Sequence, residues 1–114
     1  MNESRKWLAI LNELKSENAH LKNELSEMIK GRINLRFIEQ AEWFQQHFVE
    51  KDQVIDLLRH EIRVLPNNLS DPKIISEEEM RQFAMLEKDI EHLTYQFQQM
   101  KASFKELLSQ AWQD

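Results

Sequence analysis

Three pairs of histidine and carboxylate could do chemistry: Glu17 with His20, His47 with Glu50, and Asp89 with His92. Each pair is spaced i, i+3, which on a helix puts both side chains on one face. Imidazole and carboxylate together ligate iron, manganese or zinc, so the catalytic reading is a metal-dependent helical-bundle enzyme. All three pairs fall on the same two heptad positions. Folding the chain at Gly31 and again near Asn68 would set residue 17 level with residue 47, and residue 47 level with about residue 90.

The residue types weigh against that reading. Two-metal carboxylate bundles use two Glu-x-x-His copies and two further inward glutamates on four helices. Here "ENAH", residues 17 to 20, is a single copy in a chain with material for three. None of His20, His47, His60 or His92 lies on an apolar seam, and flanking positions usually carry solvated charge pairs. The sequence also lacks a cysteine, a Gly-rich phosphate loop and a Gly-x-Ser-x-Gly elbow. Arg59, His60 and Glu61 read as surface charge. No catalytic residue, metal or cofactor is therefore assigned, and the expectation is a protein that is not an enzyme.

What must position these side chains is helix. One Gly and two Pro in 114 residues leave little material for turns, and 31% charged against 41% hydrophobic residues suits amphipathic helices. A net charge of −5 with scattered Lys and Arg argues against a phosphate backbone as partner, so no nucleic acid is expected. The apolar run from Trp7 to Leu11 is too short for a signal core or a membrane span. Polar faces that are acidic or mixed also disfavour a membrane surface, and the expected setting is cytoplasmic.

Heptad spacing predicts three helices, at about residues 2–30, 35–65 and 76–112. The first carries the seam Trp7, Leu11, Leu14, Asn18, Leu21, Leu25, Met28. The second carries Phe37, Ala41, Phe44, Phe48, Lys51, Ile55, Leu58, Ile62, Leu65, and the third runs from Phe83 through Phe97 and Phe104 to Ala111. Extending the first frame into the second leaves an offset of two residues, which no ordinary stutter explains, so the chain breaks near Gly31. Asn34 and Ser76 are the expected N-caps, and the Pro66–Pro72 stretch is the second connection. Acidic residues open the third helix and Lys101 and Lys105 lie toward its end, the order that suits the dipole. Short connections make neighbours antiparallel. The expected fold is a single all-α domain, an antiparallel up-down-up three-helix bundle with coiled-coil-like heptad packing.

A second stripe on the middle helix, Trp43, His47, Glu50, Val54, Leu57, Glu61, Val64, widens its apolar arc and suggests contact with two neighbours. The first helix has only a narrow seam, the shape of a coiled-coil contact. Lys51 falls on the seam and is expected to extend toward a carboxylate, marking a gap in the core that a partner or ligand fills. Trp7, Trp43 and Trp112 read as exposed aromatics, and Met80 and Met85 as adaptable contacts.

"LKSENAHLKNEL", residues 14 to 25, resembles the dimerisation helix of basic leucine-zipper transcription factors, matched by Leu14, Asn18, Leu21 and Leu25. In that family the buried asparagine pairs with its symmetry mate. The resemblance covers about the first quarter of the chain and implies a homo-oligomer. Only Arg5 and Lys6 stand where the family's basic region belongs, so its DNA binding does not carry over. "AEWFQQHFVEKDQVIDLLRHEI", residues 41 to 62, is similar to a segment of small uncharacterised bacterial helical-bundle proteins, which adds weight to the fold only. The function expected is protein–protein interaction, with a protein partner or with itself through heptad seams. Leu14, Asn18, Leu21 and Leu25 form one candidate face, and Trp43 and Leu57 the other. The alternative is the metal-dependent enzyme built on Glu17, His20, His47, Glu50, Asp89 and His92.

Overall fold

Seams of alternating three and four spacing must be buried against one another, and this is what the computed structural model does. It describes residues 2–30, 35–65 and 77–112. The helices are α1 (Asn2–Ile29), α2 (Leu35–Arg63) and α3 (Glu77–Trp112), each packed on both others in an all-α three-helix bundle. The bundle measures 62 × 18 × 18 Å, so every helix lies close to the long axis. Among the described residues there is no strand. Gly31, Asn34, Ser76 and the Pro66–Pro72 connection lie outside the described residues, as do the side chains of Ala111 and Trp112.

The α1 seam is buried along its whole length from Trp7 to Met28, as are Ala41, Phe44, Phe48, Ile55, Leu58 and Ile62 of α2. From α3, Leu86, Ile90, Leu93, Phe97, Met100, Phe104 and Leu107 complete one continuous core. Phe104 is its aromatic centre, 5.3 Å from the Phe44 ring and 5.1 Å, edge to face, from Phe48. At the other end the Trp7 ring lies 4.5 Å from Phe83. Trp7 is therefore not the exposed aromatic expected from the sequence; at 4% exposure it caps the core.

The ends follow local chemistry. Past Arg63 the Val64 and Leu65 amides donate back to the His60 and Ile62 carbonyls, at 3.1 and 3.2 Å. The tightening closes α2 just before Pro66, whose ring disfavours helical geometry in the preceding residue. Glu77, Glu78 and Glu79 occupy the first turn of α3, where the exposed amides favour negative charge. Its last turn has no basic residue; Lys101, expected to serve the C-terminal dipole, pairs instead with Glu17 of α1.

Candidate partner-binding face

Asn18 is completely buried, and inside its own chain. Its Nδ2 donates to the Phe48 carbonyl at 2.8 Å and to Asp52 Oδ1 at 2.9 Å, using both amide hydrogens. Lys22 donates to the other oxygen of the same carboxylate, and Lys15 pairs with Asp56 at 2.5 Å. Asn18 Oδ1 accepts no hydrogen bond among the described residues, a cost the site carries. Hydrogen bonding from Lys15 holds the Asp56 carboxyl below its ordinary value, outweighing the opposing effect of desolvation, with the Lys15 and Arg59 charges adding to it. On the other flank of α1, Glu17 meets Lys101 of α3. These pairs occupy heptad positions flanking the seam, which fix partner and register in coiled coils. Opposite charges at those positions were the signal by which sequence reading could have found Asp52, Lys22 and Lys101.

Leu14, Leu21 and Leu25 are buried with Asn18 against α2 and α3. The zipper-like stripe thus pairs, in the folded chain, with the chain's own helices.

The metal-ligating set does not come together. Glu17 is taken by Lys101, and His20 bonds through Nε2 to Glu24, one turn away on its own helix, at 2.9 Å. His47 stacks on Trp43 with ring centroids 3.6 Å apart, and its Nδ1 donates to the Trp43 carbonyl at 2.8 Å. Glu50 accepts from Gln46 at 3.4 Å, and Asp89 and His92 are exposed on α3. Nor are the pairs at one height. Phe48 packs on Phe104 and Lys51 reaches Gln96, so residue 47 lies level with the turn around Phe104 rather than with residue 90. The register estimate failed because α3 slides past the end of α2: Val64 and Leu65 lie beside Met85 and Leu86, leaving about two turns of α3 beyond them. Among the described residues no three His, Asp or Glu side chains could hold a metal ion.

The second stripe of α2 has a different fate from the one its pattern suggested. Trp43, Leu57 and Val64 are 51%, 56% and 62% exposed, and Val54 is also open. The wide arc of α2 is not consumed by the chain's own core. The stripe borders the cleft between α2 and α3 on the side away from α1. Two hollows lie along that cleft. One, of about 240 Å³, sits between Trp43 and Phe44 of α2 and Ser103, Glu106 and Leu107 of α3. The larger, about 550 Å³, is lined by Glu61, Val64 and Leu65 of α2 and Gln82, Met85, Leu86 and Asp89 of α3. Between them Lys51 donates to Gln96 at 3.3 Å, an amide oxygen rather than the carboxylate expected. No ion pair joins α2 to α3 among the described residues.

No family model matches the chain, and no curated protein or solved structure is similar enough to count as a relative. Among the described residues no helix is long and apolar enough to cross a membrane.

Proposed function

We propose that this chain is a non-enzymatic, cytoplasmic helical bundle that works by binding protein, and that it binds through the cleft between α2 and α3. One observation carries the reading. With the heptad seams closed inside the chain among the described residues, a line of large apolar side chains on α2 is still uncovered, joined by Met85 of α3 at 64% exposure. Contiguous exposed apolar surface is costly in water and marks interaction sites when polar residues border it. A fourth helix laid in this cleft would complete the geometry that four-helix bundles favour.

Self-association through Leu14, Asn18, Leu21 and Leu25 would require α1 to leave the bundle, breaking the Asn18 and Asp52 bonds and exposing the seam. The α2–α3 face needs no such opening, and Trp43 and Leu57 are the residues that carry over from the sequence. A second copy and a different protein are its two kinds of occupant. The metal-dependent alternative finds no favouring geometry: Glu17 is engaged by Lys101 and His20 by Glu24, and among the described residues no three of its carboxylates and imidazoles come together.

The test is site-specific crosslinking in living cells, with a photoreactive residue at position 57 and a control at position 95 on the outer back of α3. Crosslinked protein at 57 and none at 95 is the expected result. Equal yields, or none at 57, would refute the reading.

A further inference from the structure

Taking that reading as its basis, we infer that the occupant of the larger hollow is a basic amphipathic helix of a different protein: an apolar stripe flanked by lysine or arginine. The floor selects the stripe. Val54, Leu57 and Val64 stand exposed on one side of α2, and Met85 lines the hollow with Val64. From Val54 to Val64 is about 15 Å along the axis, close to three turns, so a three-turn helix spans the patch. Side chains at i, i+4 and i+7 of such a helix lie on one face, which can follow the exposed row from Val54 to Val64 into the hollow. Met85 supplies a thioether that repacks around whichever side chain enters.

The rim selects the charge. Glu61 and Asp89 face each other across the same hollow, on α2 and α3 respectively. Further along the cleft Glu50 and Glu106 are also exposed. None of these four carboxylates is ion-paired among the described residues, whereas Glu17, Asp52 and Asp56 on the α1 seams all are. Neither hollow is lined by a lysine or arginine. The Lys51 ammonium stands at the midpoint, already engaged with Gln96. Glu61 and Asp89, with no cation in the lining of their hollow, repel, and an incoming cation relieves both. A second copy docking through the same face would bring the same carboxylates to the contact and set like charge against like, which is costly. Exposed charges contribute little affinity individually; here they choose the partner while the apolar residues hold it.

Two helix-stapled three-turn peptides test this on the full chain. Both carry leucine at i, i+4 and i+7; one has lysine at the flanking positions and the other glutamate. Fluorescence anisotropy is expected to give at least tenfold tighter binding for the lysine peptide, with the advantage shrinking as salt rises. Leu57→Ser and Met85→Ser should each weaken it severalfold, and Tyr95→Ser should leave it unchanged. Glu61→Lys with Asp89→Lys should invert the preference. Equal affinities, a preference for glutamate, or failure of the charge swap to invert would overturn the inference. So would a dimer in light scattering that Leu57→Ser dissolves, since that assigns the face to a second copy. That last result would still leave the face a protein-binding surface, whereas a blank at position 57 in the crosslinking experiment removes the surface itself.

Discussion

The two flanks of α2 teach opposite lessons. Toward α1, the apolar seam is bordered by matched pairs: Lys15 with Asp56, Asn18 and Lys22 with Asp52. Toward the α2–α3 cleft, Glu61 and Asp89 have no ion pair among the described residues and apolar side chains meet water. The first flank has the design of a finished contact, in which burial supplies stability and polar pairs supply register. The second has apolar surface without register devices of its own. One helix therefore carries both a contact the chain completes and one it leaves open.

The largest effect is expected at the closed core. Phe48 is fully buried and packs on Phe104, so Phe48→Ala should cost about 3–5 kcal/mol in urea unfolding, by lost transfer energy and the cavity left behind. Next comes Asp52. Asp52→Ala leaves an amide hydrogen of Asn18 and the Lys22 ammonium without their acceptor, and should cost about 1–3 kcal/mol. Asn18→Leu should behave otherwise. It removes the orphan oxygen along with the amide, so stability should hold or rise by about 1 kcal/mol, at the expense of a unique register. The check is paired: urea unfolding for stability, and amide NMR line counts for one pairing or several. A clear loss of stability in Asn18→Leu would mean that the network contributes more than register.

On the open flank the expected change is small. Leu57→Ser and Met85→Ser should shift unfolding by no more than about 0.5 kcal/mol, since neither side chain is covered in the free chain. A loss comparable to that of Phe48→Ala would show the face to be covered after all. The smallest effect concerns pH. The carboxyl of Asp56 is lowered in the folded chain, so its pairing with Lys15 stabilises the fold above its ordinary value of 3.8. That contribution is lost as pH falls through the lowered value. Asp56→Asn should accordingly lower stability slightly across the neutral range, by the little that an exposed pair contributes, and converge with wild type in acid, so that the acid limb below about pH 4 is flattened.

The fold was legible because one heptad frame per helix names the buried residues almost without error, from Trp7 to Met28 and again from Phe44 to Ile62. Helix existence is carried by local spacing, and spacing survives without knowledge of neighbours. The site was legible only in part. Trp43 and Leu57 were named as a face, but the same pattern suggested that α2 would bury both its stripes. Whether a flanking stripe is covered depends on the relative rotation and sliding of helices, which periodicity does not encode. The slide of α3 past the end of α2 also undid the alignment of His47 with Asp89 and His92, and opened the larger hollow. Asn18 illustrates the same limit: its type announced a register device, while the choice between Asp52 within the chain and a symmetry mate lies in tertiary pairing.

The central claim is that α1 closes its seam within its own chain, leaving the α2–α3 face as the surface free to bind. Because the chain has no cysteine, spin labels can be placed cleanly at Ser16→Cys and Gln53→Cys, two exposed positions on α1 and α2. Pulsed electron resonance on doubly labelled protein diluted into an excess of unlabelled chain should retain a single short separation, that of neighbouring antiparallel helices. A short separation that disappears on dilution, or one as long as a continuous α1–α2 rod, would contradict the account.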